Sequence, residues 1–179
     1  MSGDLTSGAS SEMEAARQSL EELVGERWNA IGRAADLLWL GFGNRHEVVN
    51  HRGETREVSK YALHVQCPWR VRFDDQLVTG SSDIYRPGPD WIGEDDFDWD
   101  VQGVNLFDMR ASELAERLTS EAVVVASVEV TTWGDLAISL SNGYQVEVLR
   151  TGSVREEDWR FFKPYSANDH VVVFEPVDS

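Results

Sequence analysis

The stretch Asp135 to Leu149, Asp-Leu-Ala-Ile-Ser-Leu-Ser-Asn-Gly-Tyr-Gln-Val-Glu-Val-Leu, constrains the fold more than any other part of this chain, because its turn chemistry and its hydrophobic period agree. Asn-Gly between two alternating runs marks a β-hairpin. A two-residue loop at Asn142-Gly143 would set Ser141 opposite Tyr144 and put Ile138 on one face with Glu147. A three-residue loop, Ser141-Asn142-Gly143, a type I turn closed by Gly143 in the left-handed region as a bulge, sets Leu140 against Tyr144, Ile138 against Val146 and Leu136 against Val148. Ala137, Ser139, Gln145 and Glu147 then share the other face. A one-residue slip inverts a strand's faces, so the pattern predicts the three-residue loop.

The segments around this hairpin extend it. The β-branched run of Glu121 to Thr131, with the Trp133-Gly134 turn, makes a three-stranded antiparallel meander with it. Tyr61, Leu63, Val65 and Cys67 alternate with Ala62, His64 and Gln66 as a half-buried strand. Pro68 marks an edge or a bulge, after which Trp69, Val71 and Phe73 resume the pattern and Asp74-Asp75 turns it into a second hairpin. Trp28 to Phe42 is ambiguous between helix and strand in its first half and reads as a strand from Leu38. Gly43 to Glu57 is polar and reads as a loop or a long hairpin connection. Ser11 with Glu14 predicts a capped helix carrying Leu20, Leu23 and Val24 inward and ending at Gly25. A short helix over Ser112 to Leu118, a second capping box at Ser153 and Glu156 opening one helical turn before Trp159, and two last strands, 160–162 and 170–174, complete the reading. Residues 1–10, rich in Gly and Ser, read as a disordered tail ahead of a single domain over 11–179. The expected fold class is α+β: one mainly antiparallel sheet of six to eight strands, one longer N-terminal helix and one or two short ones.

Charge narrows the function. The chain carries 32 acidic residues against 16 basic ones, a net charge of −16. Such a surface repels phosphate backbones and anionic lipid and attracts basic partners, which disfavours direct nucleic-acid binding. No apolar run approaches the length of a membrane span, and the first twenty residues carry no signal-peptide pattern. A lone cysteine, Cys67, excludes an internal disulfide and fits a reducing, cytoplasmic setting. Cys67 and His64, three apart on a strand, point to opposite faces, so Cys67 reads as a buried apolar residue rather than a nucleophile. His46 and His51 lack a third ligand at a fixed spacing.

Residues 86–109 are the least regular part. Asp90, Glu94, Asp95, Asp96, Asp98 and Asp100 supply six carboxylates interleaved with Trp91, Phe97 and Trp99, and no basic residue falls between Arg86 and Arg110. Aromatic anchors inside a charged rim fit a partner-binding patch, whereas rings that only pin the loop to the sheet would serve structure alone. Asp96, Asp98 and Asp100 at alternate positions could also cradle a hard cation, although the EF-hand pattern fails at Val101 and Phe107. Paired carboxylates doing glycosidase chemistry are a further reading that no feature singles out.

Three stretches are familiar in combination: Arg33-Ala34-Ala35-Asp36 leading to Trp39-Leu40-Gly41-Phe42-Gly43; Ala62-Leu63-His64-Val65-Gln66-Cys67-Pro68-Trp69-Arg70; and the Gly-Asp-Leu hairpin followed by Glu157-Asp158-Trp159-Arg160-Phe161-Phe162. Over residues 27–175 the chain resembles a group of small uncharacterised proteins of high-GC actinobacteria. Over 120–175 it resembles the α+β immunity proteins that accompany polymorphic toxins. The second resemblance implies a non-enzymatic neutraliser of a basic partner protein such as a nuclease, with no cofactor; the acidic stretch Asp90 to Asp100, on the reading of its own residues, is the expected docking surface. Neither group brings catalytic residues to these positions. Two alternatives stand beside it: a small enzyme or ligand-binding protein whose pocket gathers His64, Trp69, Arg70 and Asp83, and a structural subunit of a larger assembly.

Overall fold

The computed structural model describes residues 5–50, 52–93, 96–166 and 170–173. In chain order these form α1 (Leu5–Leu20), β1 (Trp28–Ala34), β2 (Leu37–Val49), β3 (Thr55–Val65), β4 (Trp69–Phe73), β5 (Gln76–Gly80), α2 (Leu106–Ser120), β6 (Val125–Val130), β7 (Leu136–Leu140), β8 (Tyr144–Val148), β9 (Trp159–Phe162) and β10 (His170–Val173). The strands make two five-stranded antiparallel sheets, β1-β2-β3-β9-β10 and β5-β4-β8-β7-β6.

Period-two alternation decides which side chains enter the core. Leu38, Leu40 and Phe42 on β2, Tyr61, Leu63 and Val65 on β3, and Trp159 and Phe161 on β9 turn inward from the first sheet. Trp69, Val71, Leu136, Ile138, Leu140, Tyr144, Val146 and Val148 turn inward from the second, and all join one core cluster. The two helices seal the open sides. α1 packs on β6 and β10, and α2 on β1 and β5, so each spans an edge strand of one sheet and an edge strand of the other. Met13, Ala16 and Leu20 form the buried stripe of α1, and Phe107, Ala111, Leu114 and Leu118 that of α2, both at helical spacing. Arg27 donates to the Leu118, Thr119 and Glu121 carbonyls, occupying acceptors that the end of α2 leaves open.

The chain changes sheet at two adjoining corners. Between β3 and β4, the Gln66 and Cys67 amides both donate to the Asp158 carbonyl, while the Leu149 amide donates to the Pro68 carbonyl. Pro68, lacking an N–H, sits where no ladder needs one. The link from β8 to β9 makes the same crossing in the opposite direction.

The hairpin of residues 135–149 has the expected register: Leu136 faces Val148, Ile138 faces Val146, and the loop is Ser141–Gly143. Its turn differs in detail, since Asn142 as well as Gly143 has positive φ, at 62° and 84°. A side chain at Gly143 would run into the Asp74 carboxylate, so this tip packs against the Asp74-Asp75 turn of the β4–β5 hairpin. The meander β6-β7-β8 also forms.

Other expectations are corrected. Among the described residues there are ten strands in two sheets, not six to eight in one. Trp28–Ala34 is a strand, turned into β2 through Ala35 at φ 52°, and the polar stretch from Gly43 continues β2 and β3 as a long two-stranded arm. α1 begins at Leu5, so Ser11 lies inside it and is not its cap, and of the stretch read as a tail only residues 1–4 lie outside the described residues. Val24 is exposed, because a 3-10 turn over Glu21–Leu23 rotates it out of the stripe. α2 is twice the expected length. No helical turn forms at Ser153; the chain from 151 to 158 stays extended or bent to complete the corner.

Candidate functional site

The acidic stretch is held from below by one buried guanidinium. Arg33 points inward from β1, and its Nε and Nη2 donate to the two carboxylate oxygens of Asp108, at 2.7 and 2.9 Å. Nη2 also reaches the Val101 carbonyl at 3.0 Å, and the Asp100 carboxylate lies 3.6 Å from Nη1. The Arg33 side chain is wholly buried and that of Asp108 is 10% exposed, so this is an interior pair at the base of the loop. Hydrogen bonding to Asp108 raises the Arg33 pKa above its ordinary value. Asp108 accepts a further bond from the Gly103 amide.

Asn105 is the second anchor. Fully buried, it caps α2 by accepting from the Asp108 amide at 2.8 Å, and its Nδ2 donates to the Trp99 carbonyl at 3.0 Å. Asn105→Ala removes both bonds and leaves two backbone groups without their partner, so a loss of about 2 kcal/mol is expected in urea unfolding. A loss below about 0.5 kcal/mol would mean that water replaces both contacts.

These anchors sort the eight residues expected to bind a partner. Trp99 is partly buried against the core, with its ring 5.0 Å from Tyr85, so it pins the loop. Asp98 accepts from the Asp100 amide, and Asp100 turns to Arg33. Asp96 is exposed at φ 57°. Glu94 and Asp95 lie outside the described residues. Asp90 and Trp91 line a groove of 440 Å³ between the loop and α2, whose opposite wall carries Met109, Ser112, Glu113 and Glu116. Trp91 stacks edge-on to Phe97 at 5.7 Å and stays 36% exposed, and its neighbour Ile92 is 95% exposed. The groove is therefore acidic on both sides, with Trp91 in its lining. Sequence reading put Ser112, Glu113 and Glu116 on a helix but did not bring them beside the loop, because it began that helix at Ser112 and missed its start at Leu106, where Asn105 ties it to Trp99. The signal was present: Asn105 followed three residues later by Asp108 is a capping pattern.

The second expected site does not assemble. It required Tyr61 to Phe73 to be one strand of one sheet, whereas the Pro68 corner sends β3 and β4 to different sheets. Trp69 lies in the core against Phe107. Arg70 points out of the second sheet and, with Arg72, binds Glu147 at 2.5 and 3.0 Å. The Arg70 bond holds the Glu147 carboxyl below its usual range. Asp83 accepts from the Thr79 hydroxyl and the Gly80 amide, closing the 3-10 turn Ser81–Tyr85. His64 faces a cavity on the outer side of the first sheet, whereas Trp69 borders a separate, smaller one beside Pro68 and Tyr85, so no cavity gathers the four.

Cys67 is partly buried against the core, and burial pushes its thiol up to about 12, with the Asp158 carboxylate adding to the shift. At pH 8 its thiolate fraction falls about a thousandfold below that of an ordinary cysteine. A disulfide reagent should therefore label the native protein on the timescale of opening, while labelling the urea-unfolded chain at once. Rapid labelling of the folded protein would contradict the assignment.

His46 packs its ring 4.9 Å from that of Tyr165, and His51 lies outside the described residues. Among the described residues no three His, Cys, Asp or Glu side chains gather to hold a metal ion, and no helix is long and apolar enough to cross a membrane. Asp96, Asp98 and Asp100 thus make no cradle. Compared with protein-family models, with curated proteins and with solved structures, the chain finds no match.

Proposed function

We propose that this chain is a non-enzymatic binding protein that takes a basic segment of a partner protein into the groove between residues 88–91 and α2. One observation carries the reading: the groove presents the half-exposed Trp91 between walls that carry Asp90, Glu113 and Glu116, with the exposed Ile92 next in the chain, on a chain of net charge −16. Apolar anchors supply affinity when they are desolvated, and surrounding like charges steer a partner of opposite sign. The loop is preorganised by Arg33 and Asn105, which lowers the ordering cost of binding. The resemblance of residues 120–175 to immunity proteins supports a basic toxin, such as a nuclease, as the partner.

The test is capture on the immobilised full chain at low salt, followed by kinetics with the purified captured protein. Its association rate should fall about tenfold or more between 20 and 150 mM salt. Trp91→Ala, and the combined Asp90→Asn, Glu113→Gln, Glu116→Gln variant, should each weaken binding about tenfold or more. Association indifferent to salt and to these substitutions would refute the reading.

A further inference from the structure

The first sheet has a second concavity on its outer face, sharing no residue with the acidic groove. Cross-strand register places Gly32, Trp39, His64 and Arg160 in one row and Ala30, Gly41, Ala62 and Phe162 in the next. The second row is therefore nearly side-chain-free until Phe162. Trp39 leans over Gly32, where a Cβ would come within 2.2 Å of its ring, and His64 meets Phe162 edge-on at 4.7 Å. The long β2–β3 arm, bent at the bulge between Phe42 and Arg45, brings Arg45, Arg56, Glu57 and Ser59 to the rim of the same 480 Å³ groove.

This shape and charge select a ligand. Trp39 and Phe162 stand on strands two apart, about 10 Å, which admits one ring system and excludes an α-helix of that same width. Aromatic walls over a floor of small residues favour a flat apolar body. The rim holds two guanidinium groups against one carboxylate, a local positive excess on a strongly acidic chain. Arg45 is shared with Glu57 at 3.6 Å. Arg56 makes no ion pair among the described residues, leaving its fork open to a planar anion.

We propose that this groove binds a planar aromatic carboxylate, with its ring on the Ala62 floor between Trp39 and Phe162 and its carboxylate on Arg56. The inference goes beyond the partner-binding reading, and the failure of either leaves the other standing.

The test titrates the full chain with 2-naphthoate and with neutral 2-acetylnaphthalene, read by calorimetry and by the Trp39 indole N–H resonance. The carboxylate should bind at least about tenfold more tightly than the neutral compound and shift the Trp39 resonance. Arg56→Gln, on the exposed arm, should remove that preference without changing the unfolding midpoint. Ala62→Leu, which fills the floor, should abolish binding, and Phe162→Ala serves the same purpose if the leucine variant misfolds. No binding of 2-naphthoate at millimolar concentration, equal binding of the two compounds, or binding unchanged in Arg56→Gln and in the floor or wall variant would each overturn the proposal.

Discussion

Arg33→Ala is expected to destabilise the domain by about 3–5 kcal/mol, one of the two largest effects of any single substitution proposed for this chain. The side chain is wholly buried, and its removal leaves the Asp108 carboxylate in the interior without its bidentate partner and the Val101 carbonyl without a donor. Two costs should separate experimentally. Replacing both charges, as Arg33→Met with Asp108→Leu, removes the uncompensated carboxylate and should recover a good part of the stability. It cannot restore the bonds to Val101 and Gly103, so residues 86–104 should be cut by protease faster in the double variant than in the wild type. Urea unfolding and limited proteolysis of the three proteins decide the matter. A cost under about 1 kcal/mol for Arg33→Ala would show that the pair is dispensable.

Trp159→Ala should be comparably severe, at about 3–5 kcal/mol, or a melting midpoint lower by about 10 °C or more. Trp159 is completely buried on β9, paired with Val65 of β3 and Val173 of β10. Its indole Nε1 donates at 2.9 Å to the Gly134 carbonyl, in the turn between β6 and β7 of the other sheet. The ring thus fills core volume and ties the two sheets together. Trp159→Phe keeps much of the volume and loses the bond, and should cost about 1–3 kcal/mol. Equal losses for the two variants would place the whole effect in the hydrogen bond.

Local chemistry was legible where it was self-contained. The 135–149 hairpin carries both its turn and its two faces within fifteen residues, so its register could be read directly. Asp74-Asp75 behaved the same way. The count of sheets was not legible, because Pro68 marks an interruption without saying whether the next strand rejoins the same sheet. That is settled by Asp158 and Leu149, far along the chain. Trp28–Ala34 escaped for a related reason: its outward residues, Ala30 and Gly32, are small rather than polar, since Trp39 needs the space over Gly32, and alternation is faint without polar side chains. The acidic stretch was legible as unusual but not in its division of labour. Trp91 and Trp99 look alike in sequence, and only the buried Arg33 and Asn105 distinguish the exposed ring from the pinning one. His64, Arg70 and Asp83 were grouped on an assumption about pairing that the corner removes.

The sheet-changing corners also set the order in which the protein can form. β3 lies in the middle of the first sheet, yet its neighbour β9 is roughly a hundred residues later, and β4 waits almost as long for β8. As the chain leaves the ribosome, β1, β2 and β3 can zip into a meander early, but its apolar face has no cover and β3 stays an open edge. Both are completed only after residues 144–162 emerge. Folding should therefore be slow for a domain of this size and vulnerable to edge-to-edge association in that interval. The net charge of −16 would, during that wait, keep unfinished copies apart.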